Sequence, residues 1–218
     1  MKKFLIFFLM LLPLAMTSCG GDKDEPSGGE DKAPSGVVAV DLGLSVKWAS
    51  CNIGAQNEWE YGGLYAWGET EEKDEYSLST YKYYDAATDT YENIGSDIKG
   101  TKYDVAHVKW GGKWRMPNGA EMNELRTQCK LTEVTVNGTK GILCTGPNGN
   151  TVFLPYAPHQ YGVRKYGEGD ELRFWCSGIG MKSSYAVYAY SGHANGPVID
   201  IDNDTDRTDG FSVRAVCQ

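Results

Sequence analysis

The stretch Trp110-Gly-Gly-Lys-Trp-Arg-Met-Pro-Asn-Gly-Ala-Glu-Met-Asn-Glu-Leu125 predicts a tight turn, a core anchor and the start of a helix. Gly111 and Gly112 allow the backbone to turn sharply, and Trp114 supplies a large apolar side chain. Pro117 stops an incoming strand because it lacks the N–H that a strand ladder needs. This stretch therefore marks where a strand ends and where a helix begins.

The helix that follows carries both a start signal and an apolar stripe. Asn118 can cap the first turn, and Glu121, three residues later, can reach back to the Asn118 amide. Met122, Leu125 and Cys129 recur at spacings of three and four residues, so they lie on one face. The pattern predicts an amphipathic helix.

Short strand-like runs dominate the rest of the chain. They cover residues 37–40, 46–49, 64–67, 134–136, 141–143, 151–154, 172–175, 185–190 and 211–216, and a second helical turn is predicted over 104–110. Asn137-Gly138 is typical of a hairpin, because both turn positions must tolerate positive φ. The last run alternates apolar and polar side chains, which predicts a half-buried strand with Ser212 and Arg214 on one face. Residues 56–101 show little periodicity and are expected to form a long surface excursion.

These patterns and the composition predict one α+β domain of loop-rich antiparallel sheets with one or two short helices. The 218 residues are 41% hydrophobic and 12% aromatic, which excludes a disordered chain. The 29 Asp and Glu residues exceed the 21 Lys and Arg residues, so the net charge is -8. Because this excess repels phosphate backbones, we expect no nucleic-acid partner.

The N-terminus has the layout of a signal peptide. Two lysines precede an apolar run over residues 4–16, which is too short to span a bilayer, and the sequence Met-Thr-Ser-Cys then ends at Cys19. This ending resembles the lipobox of bacterial lipoproteins, in which the cysteine is acylated and becomes the new N-terminus. We expect Cys19 to be lipidated; ordinary secretion with Cys19 removed is the alternative.

The chain is expected to divide into three parts. These are a signal peptide at residues 1–18, a lipidated cysteine with a flexible acidic tether at 19–36, and a domain at 37–218. Asp22, Asp24 and Glu25 resemble the signal that sends lipoproteins of some Gram-negative bacteria to the outer face of the outer membrane. A lipid-anchored protein at the cell surface is therefore expected, and a solvated linker without export information is the alternative.

Three segments carry a resemblance to a known family. They are Val-Asp-Leu-Gly-Leu-Ser-Val-Lys-Trp-Ala-Ser-Cys-Asn-Ile-Gly-Ala at 40–55, the stretch at 110–125, and Gly-Phe-Ser-Val-Arg-Ala-Val at 210–216. Together they resemble the Fibrobacter succinogenes major paralogous domain family, secreted or lipid-anchored proteins of gut and rumen bacteria, over residues 38–217. The middle segment is also similar to the Trp-Arg-Leu-Pro-x-x-x-Glu-Trp segment of formylglycine-generating enzymes. The resemblance implies a variant of the C-type lectin-like fold but little about function, because most members lack a defined activity.

The resemblance also implies a disulfide. In lectin-like folds the opening and closing strands lie side by side, so Cys51 and Cys217 are the expected pair. The residues alone leave the connectivity open, because the five cysteines after the lipobox allow fifteen arrangements with one thiol left over. Cys129 and Cys144, which flank the predicted hairpin, are a second possibility.

The sequence contains no recognisable catalytic constellation. His107, His159 and His193 are scattered, without the spacing of a zinc site. Formylglycine-generating enzymes use two cysteines a few residues apart near the C-terminus, whereas Cys176 and Cys217 are 41 positions apart. We therefore expect a protein that is not an enzyme.

Two charged features have structural interpretations that we favour over functional ones. Arg115 is expected to bond backbone carbonyls or a buried carboxylate rather than a ligand. The acidic loop that contains Asp200, Asp202, Asp204 and Asp206 is a weak candidate for Ca²⁺, which prefers six to eight oxygen ligands. The loop lacks the glycine and the closing glutamate of an EF-hand, so a solvated turn is favoured and no cofactor is expected.

The favoured function is a non-catalytic surface lipoprotein whose lectin-like domain binds a glycan or a protein. The alternatives are an oxidase similar to formylglycine-generating enzymes and a structural envelope or fimbria-associated subunit. The binding loops are expected at residues 156–171 and 192–210, with aromatic rings stacking on the ligand. The candidate ligand-binding residues are Tyr161, Tyr166, Arg164, His159 and Trp175, with Trp59, Tyr61 and Tyr156 as further candidates and Trp48, Trp110 and Trp114 assigned to the core.

Overall fold

The computed structural model describes residues 32–191 and 197–218. The predicted signal peptide at 1–18, Cys19, the tether up to residue 31 and His193 lie outside these described residues. Within them, no helix has both the length and the apolar character needed to cross a membrane.

Two helices and thirteen short strands occur in the described residues. The helices are α1 (Val105–Trp110) and α2 (Gly119–Gln128), and a 3-10 turn covers Leu78–Thr80. The strands are β1 (Ala39–Val40), β2 (Lys47–Ala49), β3 (Tyr84–Asp85), β4 (Thr90–Tyr91), β5 (Lys130–Val136), β6 (Thr139–Thr145), β7 (Thr151–Pro155), β8 (His159–Tyr161), β9 (Arg164–Tyr166), β10 (Leu172–Ile179), β11 (Tyr185–Ser191), β12 (Asp200–Asp206) and β13 (Val216–Cys217).

All strand pairs within the sheets are antiparallel. Three sheets have the orders β1-β2-β13, β5-β6-β7 and β10-β11-β12, and two hairpins are formed by β3 with β4 and by β8 with β9. The predicted loop-rich α+β fold with antiparallel sheets and two short helices is confirmed. The pairing of β2 with β13 joins the opening of the domain to its end.

The predicted start of α2 is confirmed atom by atom. The Asn118 side chain accepts a hydrogen bond from the Glu121 amide at 2.8 Å, and Glu121 Oε2 accepts one from the Asn118 amide at 2.9 Å. Met122 and Leu125 have no exposed surface. Arg115 binds both carboxylate oxygens of Glu121, at 2.8 and 2.6 Å, which confirms its structural role.

The predicted hairpin is also confirmed. Asn137 and Gly138 connect β5 to β6, with φ values of 48° and 87°. Both residues therefore use the left-handed backbone region that Asn and Gly tolerate best.

The segment 56–101 is not a surface excursion, contrary to the sequence-based expectation. Trp67 and Tyr81 in this segment are almost fully buried, and both rings flank the buried guanidinium of Arg207. Arg207 Nε donates to the Tyr81 hydroxyl at 2.7 Å. The predicted strand at 64–67 is reduced to one bridge between Tyr65 and Phe211. This segment lacks a hydrophobic periodicity because it has little helix or strand, and individual side chains at irregular spacings enter the core.

The last run of the chain is buried on both faces rather than on one. Phe211, Val213 and Ala215 pack into one apolar cluster, as the alternation predicts. Arg214, on the opposite face, has no exposed surface and donates to Asn52 Oδ1, the Ala49 carbonyl and the Phe153 carbonyl. Neutral oxygens thus solvate this arginine inside the domain.

The predicted disulfide between Cys51 and Cys217 is absent from the structure, and none of the five described cysteines forms a disulfide. The strand register explains this difference. Cys217 lies opposite Lys47, four residues before Cys51. Extended chain of that length separates the two cysteines by on the order of 10 Å, beyond the Cα separation of about 7 Å that a disulfide can bridge.

The domain takes in more of the N-terminal segment than the sequence indicates. The Lys32 amide donates to the Trp110 carbonyl, and Ala33 packs against the apolar cluster that contains Trp110. Lys32 and Ala33, assigned to the tether from sequence, therefore contact the domain.

Candidate functional site

The site is built on one face of the β10-β11-β12 sheet. Side chains alternate along each strand, so Arg173 and Trp175 of β10 share a face with Tyr188 and Tyr190 of β11. The register aligns Arg173 with Tyr190 and Trp175 with Tyr188. The opposite face carries apolar residues such as Phe174, which belong to the same core cluster as the buried residues of α2.

The predicted acidic loop is a strand in the structure. Asp200 and Asp202 lie on β12, opposite Tyr190 and Tyr188 of β11. In an extended strand, residues two apart are separated by about 7 Å, so their carboxylates do not converge on one cation. No metal-binding group of His, Cys, Asp or Glu occurs among the described residues. The four candidates Asp200, Asp202, Asp204 and Asp206 instead line the edge strand of the sheet, where charge discourages pairing with other strands.

The hairpin of β8 and β9 lies beside this sheet face and gathers four of the five predicted ligand-binding residues. Its register pairs His159 with Tyr166 and Tyr161 with Arg164, so these four side chains share one face. Gln160 therefore points to the opposite face of the hairpin. The predicted loop at 156–171 is thus an ordered hairpin followed by a turn.

Trp175, the fifth predicted residue, is not at the surface. It has no exposed area, its Nε1 donates to the Tyr65 carbonyl at 2.7 Å, and its ring stacks on Phe211 at 4.3 Å between centroids. The prediction was wrong because the sheet face that bears Trp175 is covered by Phe211 from the last run of the chain. Tyr156 is buried as well, whereas the assignment of Trp48, Trp110 and Trp114 to the core is confirmed.

The hairpin and the sheet together form a continuous cluster of aromatic side chains, which we call the aromatic face. His159, Tyr188 and Phe211 are buried within it, and Tyr166 is its most exposed ring. Its members are His159, Tyr161, Tyr166, Arg173, Tyr188, Tyr190 and Phe211. The Tyr161 ring lies 5.8 Å from the Tyr166 ring and 6.3 Å from the Phe211 ring. Tyr188 lies 5.6 Å from Phe211 and stacks on Tyr190 at 5.3 Å. Phe211 thus connects the hairpin rings to the sheet rings.

Arg173 is the central charge of the aromatic face. Its guanidinium carbon lies 5.8 Å from the ring centroids of both Tyr188 and Phe211. Glu171 binds it at 3.3 Å, and the Arg173 side chain remains 22% exposed. A planar donor group supported by aromatic rings can bind ligand oxygens in a defined orientation.

Two titratable groups beside Arg173 have shifted pKa values. Burial, with Arg173 nearby, lowers the pKa of His159 to about 4, so this ring is neutral at physiological pH. Burial and the neighbouring Asp206 raise the pKa of Asp209 to about 7, and Thr205 donates to its carboxylate at 3.2 Å. Burial therefore keeps the His159 ring of the aromatic face uncharged and leaves the neighbouring Asp209 carboxyl partly protonated near neutral pH.

An open depression of about 340 Å³ lies on the opposite side of the hairpin. Its lining consists of Glu72, Lys73, Asp74, Gln160, Val163 and Lys165. Gln160 and Lys165 are a cross-strand pair and hence share the hairpin face that turns away from the rings. The two faces of the hairpin therefore differ: one bears the aromatic side chains, and the other bears polar side chains that line the depression.

Sequence reasoning missed Arg173, Tyr188 and Tyr190, whereas it had assigned Asp209 to the acidic loop. The alternation in Tyr-Ala-Val-Tyr-Ala-Tyr at 185–190 predicts that Tyr188 and Tyr190 share a face, and this signal was available. Their proximity to Tyr161 depends on contacts between distant segments and has no local signal. Trp59 and Tyr61 are half-buried, and Glu168 contributes to a raised pKa of Tyr61, which places that ring near the turn after β9.

Comparison of the chain with protein-family models, with curated proteins and with solved structures found no match in any of the three.

Proposed function

We propose that this chain is a surface-exposed lipoprotein whose non-catalytic domain binds a glycan on the aromatic face. The observation that carries the proposal is the position of Tyr166 and Arg173, which are partly exposed on a surface supported by further rings. Flat rings stack on sugar faces at low entropic cost, and guanidinium and carboxylate groups bind hydroxyls. A protein ligand is the alternative occupant of this surface.

A C-type lectin-like fold belongs to this proposal. Its support is the resemblance of residues 38–217 to the Fibrobacter succinogenes major paralogous domain family, together with the pairing of β2 with β13, which brings the two ends of the domain side by side. The capped helix α2 after Trp114 lies in the segment that carries the strongest resemblance.

The buried state of the thiols supports a non-catalytic domain over an oxidase. Cys176 has no exposed surface, and burial raises the pKa of its thiol to about 12. Burial also raises the pKa of the Cys144 thiol. Thiol oxidation chemistry requires an accessible thiolate, which these environments disfavour.

A glycan array tests the proposed ligand class. Purified full-length protein in detergent is expected to retain at least one glycan, and Tyr161→Ala combined with Tyr166→Ala should abolish that signal. Because Tyr161 is half-buried, circular dichroism of the double variant must match wild type for the result to count. Retention of no glycan, with capture of a protein partner in a parallel pull-down, would favour the alternative.

Lipid attachment is tested separately. Cys19→Ala is expected to release the protein from the membrane fraction, and protease treatment of intact cells should remove the domain. Complete protection from protease would place the domain inside the envelope instead.

A further inference from the structure

We infer that the ligand is an extended oligosaccharide that crosses the β8–β9 hairpin, with one part on the aromatic face and another in the depression behind it. This inference rests on the proposed glycan-binding function and adds the length and the path of the ligand.

The hairpin register separates two kinds of surface. His159, Tyr161 and Tyr166 face the aromatic side, whereas Gln160 and Lys165 face the depression. A hairpin with side chains on both faces is about 10 Å thick, which is more than one sugar ring can cover. A single ligand that uses both surfaces must therefore contain several sugar residues.

The depression offers carboxylate acceptors together with the ammonium donor of Lys165. The ammonium group of Lys73 is occupied by Glu69 at 2.8 Å and by the Thr80 carbonyl at 3.1 Å. The carboxylate of Asp74 is exposed, as is the ammonium group of Lys165. Such a set binds hydroxyl groups without requiring a charged ligand.

Gln160 provides a fixed acceptor at the base of the depression. The residue is only 4% exposed, and its Nε2 donates to the Asp74 carbonyl at 2.7 Å and to the Gly162 carbonyl at 2.9 Å. These two bonds fix the amide plane. Within the described part of the chain no donor is bonded to Oε1, so this oxygen is available to a ligand hydroxyl.

The hairpin is anchored both along β8 and at its turn, and two of its side chains remain accessible. Gln160 exchanges backbone hydrogen bonds with Gly210, and Gly162 exchanges them with Tyr76. Val163 at the turn is 71% exposed and Tyr166 is 44% exposed. A polymer can thus pass over these exposed side chains and contact both faces of the hairpin without moving the backbone.

The test is a length series of the glycan that the array identifies, from the monosaccharide to the hexasaccharide, titrated calorimetrically into the full-length protein. Affinity should increase from the shortest to the longer members. Lys165→Ala combined with Asp74→Asn should weaken binding of the hexasaccharide about tenfold and leave the shortest binding sugar unchanged. Tyr166→Ala should weaken both, and Lys140→Ala, an exposed lysine on β6, should change neither.

Two outcomes would overturn the inference in distinguishable ways. If Tyr166→Ala weakens binding but the depression variant does not, or if the monosaccharide binds as tightly as the hexasaccharide, the crossing path is wrong and the glycan-binding function stands. If no glycan binds, or if a glycan binds wild type and Tyr166→Ala equally well, the proposed function on this face fails and the inference fails with it.

Discussion

Arg214 shows how a single residue can hold distant segments of this domain together. Its three hydrogen bonds reach the backbone of Ala49 and Phe153 and the side chain of Asn52, so it joins the opening segment, β7 and the last run of the chain. Burial lowers the pKa of its guanidinium to about 10, which still leaves it charged at neutral pH. A charge in such a site requires all of its acceptors.

Arg214→Leu is expected to destabilise the domain strongly, because it removes the guanidinium donor from three buried oxygens. The free energy of unfolding should fall by about 3 kcal/mol or more. Urea denaturation followed by tryptophan fluorescence measures this change. Arg126→Ala, which removes a partly exposed ion pair with Asp200, is the control and should cost less than about 1 kcal/mol. Equal losses in the two variants would contradict the assigned role of Arg214.

Asp209 makes stability depend on pH. Its folded-state pKa of about 7 lies above the value of an unfolded aspartate, so the folded state binds the extra proton between about pH 4 and pH 7. The stabilisation from this proton is therefore complete at low pH and is lost as the pH rises through 7. The lowered pKa of His159 acts in the opposite direction over part of this range.

The variant Asp209→Asn separates the contribution of Asp209 to the pH dependence of stability from that of His159. The wild-type minus variant difference in unfolding free energy should fall between pH 4 and pH 7 by on the order of a few kcal/mol, because the asparagine does not titrate. The His159 contribution is common to both proteins and cancels in the difference. A flat difference curve from urea melts would show that Asp209 titrates normally.

At the scale of the element, two glycines of the β5–β6 hairpin are required for different reasons, one for its backbone conformation and the other for lack of space. Gly138 has φ of +87°, and an added Cβ would lie in open space. Gly141, on β6, has no such φ, but an added Cβ would collide with the Leu154 carbonyl and the Phe153 ring. Gly138→Ala should cost about 1–2 kcal/mol from conformation alone, and Gly141→Ala should cost more because β6 and β7 must separate. Thermal melts that rank the two variants in the reverse order would contradict this account.

The elements that could be predicted from sequence are those whose cause is local. The capping pair of Asn118 and Glu121 and the turn at 137–138 involve residues within a few positions of each other, so their chemistry is visible in the sequence. The strand predicted at 64–67 is instead a single bridge, and its partner could not be predicted because Tyr65 bonds the backbone of Phe211, which lies far along the chain.

The same distinction applies to the candidate site. The aromatic residues of the hairpin are visible in the sequence as a local group. The burial of Trp175 is not visible in the sequence, because the residue that covers it, Phe211, lies 36 positions away. The contact between the Arg173 guanidinium and the Tyr188 ring likewise depends on the register of β10 and β11, which cannot be determined from the sequence.

At the scale of the whole molecule, the cysteines indicate a domain held together by packing rather than by covalent links. All five described cysteines are buried thiols. Alkylation of the native protein without reductant should therefore be slow, and alkylation in denaturant should label all five. A Cys51–Cys217 disulfide in the peptide map, or fast labelling of Cys176 in the native state, would contradict the structure described above.

The central claim is that the aromatic face binds a glycan, and the most direct measurement is the affinity of Tyr166→Ala for a glycan retained on the array. Tyr166 is 44% exposed, so its loss should leave the fold intact while removing a stacking surface worth about 1–2 kcal/mol of binding. Tyr84→Ala, which removes a half-buried tyrosine from the separate β3–β4 hairpin, is the control. We expect affinity to fall about tenfold for Tyr166→Ala and to stay at the wild-type value for Tyr84→Ala, with circular dichroism showing that both variants are folded. Wild-type affinity in a folded Tyr166→Ala variant would contradict the claim.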